Sequence, residues 1–170
     1  MLLTEQTEQL GYFYGDKKAI EMIADAGFDS IDYSMFCMSD DSHILNTDEY
    51  KKYALSLKEA ADRRGIPFTQ AHAPFSFPPD KGEDEFLKVA NKKVLRAMEV
   101  ASILGAEIIV VHPIHFRPYY KNKEFLKEFN INYYKSLIPY CEEFGIKVAC
   151  ENMWQYNHKR HCITDSVCSQ

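Results

Sequence analysis

GAEIIVVH (residues 105–112) sets a glycine before a nearly unbroken apolar run and closes that run with a histidine. A short apolar run bounded by a helix-stopping glycine reads as a strand covered on both faces, as in a parallel sheet buried by helices. The unit recurs as GFDSIDYS at 27–34, GIPFTQAH at 65–72 and GIKVACE at 145–151, so Gly27, Gly65, Gly105 and Gly145 stand 38, 40 and 40 residues apart. A period of about 40 residues, with helical sequence between short apolar strands, is what stacked βα units produce. Polar residues at the C-terminal ends of such strands face one mouth of the sheet, where βα architectures keep their chemistry. His72 and His112 each lie seven residues past their glycine and Glu151 six past its own, which makes them the first site candidates.

The segments between these strands read as helices. Residues 16–26 carry Ala19, Ile20, Ile23 and Ala24 at helical spacing, with Asp16 as N-cap and Gly27 beyond the end. Residues 47–64 present Tyr50, Tyr53, Ala54, Leu57 and Ala61, and residues 84–104 present Phe86, Leu87, Ala90, Val94, Leu95, Met98 and Ala101. A fourth helix spans 123–144, where Pro139 is expected to kink it or split it in two. The start, near residues 2–5, is polar for a strand. AHAPFSFPPDKGED (71–84), with prolines at 74, 78 and 79, reads as a shaped βα loop, and HCITDSVCSQ (161–170) as a loop leading into a further helix.

The expected fold is therefore a single α/β domain over 1–170, a partial (β/α)8 barrel of about five parallel strands and four helices. A complete barrel of this kind takes about 250 residues. An open arc exposes strand edges, so the reading is of a chain truncated before strands six to eight, or of a homodimer whose copies complete the open barrel.

Composition narrows the function classes. Hydrophobic residues make up 46% and charged residues 26%, as in an ordinary globular protein. A net charge of −5 argues against a nucleic-acid partner, because phosphate binding needs a basic face. No apolar run approaches the ~20 residues that span a bilayer, and the start lacks a signal peptide's basic and apolar regions. Five scattered cysteines suit reduced thiols in a cytoplasm better than a disulfide framework. A nucleotide cofactor is not indicated, since no GxGxxG or P-loop pattern is present.

Each candidate has a plainer reading. A carboxylate such as Glu151, after an apolar strand, needs a metal or hydrogen-bonding partner, and a structural ion pair is the alternative. Histidines after strands are often hydrogen-bonded core residues, but the equal offsets of His72 and His112 favour a site. Asp32 either orients a ligand or caps loop amides, and His115 is either a site residue or an exposed one. Phe75 and Trp154 either wall a pocket or simply pack. A second cluster, His158, His161, Cys162 and Cys168, has zinc-compatible types without zinc-knuckle spacing. The neighbouring Lys159 and Arg160 either meet an anion or are solvated. Cys150, one residue before Glu151, should face away from the site.

With its strand ends located, the chain resembles the xylose-isomerase-like barrel superfamily. That group holds sugar and sugar-phosphate isomerases and epimerases, inosose-type dehydratases, and apurinic endonucleases of the endonuclease IV type. The resemblance rests on GFDSIDYS at 27–34, QAHAPF at 70–75, VVHP at 110–113 and CENMW at 150–154. It implies that Glu151 is a ligand of a divalent metal (Mn, Mg or Zn) and one of two acid/base glutamates. It implies that His72 and His112 are metal ligands or contacts to a small-molecule sugar, with His115 and Trp154 beside them. The endonuclease branch follows its His-Pro pair with glycine and its glutamate with Asn-Thr-Ala-Gly. Here Pro113 is followed by Ile114 and His115, and Glu151 by Asn152, Met153 and Trp154. Sugar chemistry is therefore expected ahead of cleavage at abasic sites. The family's remaining ligands, an Asp, a His and a second Glu, come from strands six to eight. Without them the chain should be catalytically incomplete, or a non-catalytic assembly module.

Overall fold

The computed structural model describes residues 2–75, 83–114, 121–157 and 159–167. Five strands form one parallel sheet in chain order: β1 (Thr4–Gln6), β2 (Ser30–Ser34), β3 (Phe68–His72), β4 (Ile108–Val111) and β5 (Lys147–Cys150). Four of the helices are α2 (Asp16–Asp25), α3 (Tyr50–Arg64), α4 (Glu83–Leu104) and α5 (Lys123–Phe144). The 40-residue period of the sequence is thus the period of the βα units. Gly65 and Gly145 end α3 and α5 in the left-handed conformation, at φ 67° and 65°, which a residue with a Cβ adopts only with strain.

One face of the sheet is apolar. Ile31, Tyr33, Phe68, Ala71, Ile109 and Val111 pack in a single core with Ile20, Ile23, Leu57, Met98, Ala101 and Leu137 of the helices. The opposite, inner face is polar near β1, β2 and β3, where the Thr4 and Ser30 hydroxyls are 2.5 Å apart and Thr69 donates to Ser30 Oγ (3.0 Å). A register shift between β2 and β3 pairs Ile31 with Phe68 but Asp32 with Gln70, leaving Thr69 as a bulge. Strict alternation from Phe68 would send His72 to the helix side. The extra residue at Thr69 turns His72 inward while Phe68 keeps its place in the core.

Three expectations are corrected. Residues Glu8–Tyr14 form an additional helix, α1, directly after β1, and Asp16 is the first residue of α2 with Gly15 at the N-cap. α5 is not split at Pro139 but runs through it as one element: Leu126, Tyr133 and Leu137 are buried before the proline, and Tyr140, Cys141 and Phe144 pack on the core after it. Packing on both sides outweighs the one hydrogen bond that proline removes. Finally, the tail does not begin a helix. Met153–Asn157 (β6) and Cys162–Val167 (β7) pair antiparallel as a separate two-stranded sheet, with Asn157 opposite Cys162 and Tyr156 opposite Ile163. Aromatic and β-branched residues such as Tyr156, Ile163, Thr164 and Val167 favour that pairing over a helix. No helix among the described residues is long and apolar enough to cross a membrane.

Candidate active site

The inward residues at the ends of β2, β3, β4 and β5 meet in one place. Ser34 lies opposite His72 across the β2–β3 ladder, and His112 and Glu151 follow directly on the last residues of β4 and β5. His112 Nε2 stands 3.0 Å from Glu151 Oε2, and His72 Nε2 stands 4.0 Å from the same oxygen. The two imidazole rings are 5.9 Å apart. Both histidines are largely enclosed, with 14% and 6% of their side chains exposed.

Asp32 fixes the orientation of His72. His72 Nδ1 donates to Asp32 Oδ1 (2.9 Å), while Gln70 Nε2 donates to Asp32 Oδ2 (2.7 Å). A proton held on Nδ1 leaves Nε2 with its lone pair toward Glu151. Asp32 thus holds two side chains of β3, and its partner Gln70, delivered by the bulge, was not foreseen. Asn130, absent from the sequence candidates, braces the other histidine's loop. Its side chain accepts from Ile114 N–H (2.7 Å) and donates to Ile114 C=O (2.8 Å), two residues after His112, and also donates to Leu126 C=O (2.8 Å). It is 1% exposed, on the stripe formed with Leu126, Tyr133 and Leu137. An amide at a core-facing helical position was the available signal.

Phe36 and Phe75 wall the histidines. The Phe75 ring stacks on His112 at 4.0 Å, and Phe36 lies 5.9 Å from His72, 5.7 Å from His112 and 4.6 Å from Phe75. Of the other candidates, His115, His158 and Cys168 lie outside the described residues, as does the Trp154 side chain on β6. His161 and Cys162 are exposed on the hairpin. Cys150 faces the helix side beside Tyr134, and burial pushes its thiol upward.

Glu151 Oε2 is buried and has no hydrogen-bond partner, although His112 Nε2 stands 3.0 Å away. An unsatisfied buried acceptor costs about 1–3 kcal/mol, more when charged. Two donors at that separation are spaced as neighbours around one cation, whose bonds to N and O ligands are each about 2.0–2.2 Å. Among the described residues no group of three His, Cys, Asp or Glu is arranged to hold a metal ion. The chain thus presents a pair of donors, not a finished shell.

The same fold is found among known proteins. A model of the family described as xylose isomerase-like TIM barrel matches residues 20–165. The chain belongs to this family. Uncharacterized protein MJ1311 of Methanocaldococcus jannaschii is 29% identical over 138 residues, covering 79% of this chain and 44% of that protein. The structure of a D-tagatose 3-epimerase-like protein superposes with a TM-score of 0.66 at 24% identity, over 92% of this chain and 55% of the other. Endonuclease IV from Thermus thermophilus superposes with a TM-score of 0.52 at 19% identity, over 89% and 51%. These structural likenesses are likenesses of fold, and the chain spans about half the length of the proteins it matches. The five-stranded arc is accordingly the family's barrel in part.

Proposed function

We propose that this chain carries part of the active site of a metal-dependent sugar or sugar-phosphate isomerase or epimerase. The observation that carries the reading is the convergence of His72 Nε2 and His112 Nε2 on the buried, unsatisfied Glu151 Oε2 at the strand ends. The fold shared with a D-tagatose 3-epimerase-like protein supports the sugar class.

Isomerisation and epimerisation at a carbon beside a carbonyl both begin with removal of a proton from that carbon. Glu151 is the group placed to take it. A half-exposed side chain on a strand end can reach a substrate in the mouth of the sheet, while its inner oxygen remains against His112. His112, and His72 held in one tautomer by Asp32, orient the sugar or share the cation with Glu151. The cation (Mn²⁺, Mg²⁺ or Zn²⁺) would be held by the donor pair Glu151 and His112, with His72 beside them, and would polarise the sugar's neighbouring oxygens. Its remaining ligands, and the second acid that returns the proton, belong to strands beyond this arc or to a second copy closing it.

The test is metal content by elemental analysis after Mn²⁺ or Zn²⁺ loading of the chain and of Glu151→Ala. Near-stoichiometric metal in the parent, lost in the variant, is the expected result. A folded parent that takes up no metal means that Glu151 and the histidines do not nucleate the site.

A further inference from the structure

A cavity of about 560 Å³ opens beside the histidines, between α1 and the segment that follows β2. Phe36 belongs to both places, lining the cavity while its ring lies within 6 Å of both histidine rings. Tyr12 and Phe13 of α1 form the outer wall, and both are strongly exposed, at 84% and 68%. Aromatic faces of this kind cover the C–H face of a sugar.

The polar groups of the cavity are of one character. Ser34 lines it, is 7% exposed, and its hydroxyl has no hydrogen-bond partner. A buried hydroxyl left unpaired at a cavity wall is a group awaiting a partner. Asp16 presents a fixed carboxylate: Tyr33 and Tyr53 both donate to its Oδ2, at 2.6 and 3.0 Å. The other oxygen, Oδ1, faces residue 11, where a Cβ would stand only 2.8 Å from it and glycine leaves the room. His43 accepts Leu45 N–H at Nδ1 (3.3 Å), which leaves its proton on Nε2 as a donor. Glu8 adds a second carboxylate, and no lysine or arginine is among the described residues lining the cavity.

We propose that this cavity binds the distal, hydroxyl-bearing end of an uncharged sugar and rejects a phosphorylated one. Hydroxyl groups can donate to Asp16 Oδ1 and exchange hydrogen bonds with Ser34 and His43. A phosphate in the same place meets two carboxylates and no cation. The proposal rests on the sugar reading of the adjoining site and narrows it to neutral substrates.

The experiment is a titration of the ¹⁵N-labelled chain with D-fructose and with D-fructose 6-phosphate, following the Gly11 and Ser34 amides by NMR. The same titrations are run on Ser34→Ala and Gly11→Ala, and metal uptake is measured on the parent. Saturable shifts with fructose, at least tenfold weaker binding of the phosphate, and at least tenfold weaker fructose binding in Ser34→Ala and Gly11→Ala are expected. Equal or tighter binding of the phosphate overturns the proposal, as do absent shifts with fructose or unchanged affinity in a folded Ser34→Ala. Metal uptake by the same samples separates the two readings. A parent that binds fructose but no metal refutes the catalytic reading alone, whereas a parent that binds metal but not fructose refutes this one alone.

Discussion

Asp32 holds His72 and Gln70 with one carboxylate, and its removal should be felt first as a loss of tautomer control. In Asp32→Ala, the ¹⁵N shifts of the His72 ring should change from a single Nδ1-protonated form to a mixture. Urea unfolding should show a loss of about 1–3 kcal/mol, the cost of unpaired donors in a half-buried setting. A His72 ring unchanged in the variant would deny Asp32 its orienting role. Asp16 offers a second residue-scale consequence, in the alkaline range. Burial first, and the Asp16 charge second, push the Tyr33 and Tyr53 hydroxyls upward. An unfolded tyrosine ionises near pH 10. Below that pH the contribution of these groups to stability is fully present; above it the unfolded chain sheds protons that the native one keeps, and stability falls. Tyr33→Phe should therefore make the decline above pH 10 shallower by about 1.4 kcal/mol per pH unit, measured as urea midpoints at pH 9, 10 and 11.

At the scale of elements, Asn130 ties α5 to the loop that carries His112. Asn130→Ala strips both backbone groups of Ile114, itself 1% exposed, of their partner. A loss of about 2–4 kcal/mol in chemical denaturation is expected, with shifted His112 ring resonances in the remaining folded state. An Asn130→Asp variant keeps the acceptor for Ile114 N–H and loses the donors, so it should fall between the two. The βα units themselves were legible in the sequence, because a glycine at each helix end and an apolar run after it are local signals. Other elements were not. α1 is seven residues long with no buried side chain, so it carries no apolar stripe to read. The β6–β7 hairpin depends on cross-strand pairing, which no single segment displays. The bulge at Thr69 was equally hidden, and with it the reason that Asp32, Gln70 and His72 meet. Counting from the glycines put His72, His112 and Glu151 at neighbouring strand ends, while the bracing by Gln70 and Asn130 needed three dimensions.

Taken as a whole molecule, the described sheet has two outer strands, β1 and β5. Lys147 N–H bonds to Glu107 C=O across the β4–β5 ladder, so the alternating amides of Val148 and Cys150 point outward. Hydrogen exchange should be slow at Ala71, Ile109 and Val111, within the sheet, and fast at Val148 and Cys150. Protection of those two amides that rises with protein concentration would show a second copy pairing along β5. Unchanged exchange between about 10 µM and 1 mM would exclude it.

Phe36 touches the ring pair on one side and the cavity on the other. A rigid ring shared by two neighbouring sites makes them one thermodynamic unit: an occupant that fixes its rotamer has already met the ordering cost for the other. Linkage then demands symmetry. By whatever factor a sugar in the cavity tightens a cation at Glu151, the cation tightens the sugar by the same factor. Phe36→Ala, by freeing the space between them, should bring that factor towards one while each site, tested by itself, still binds.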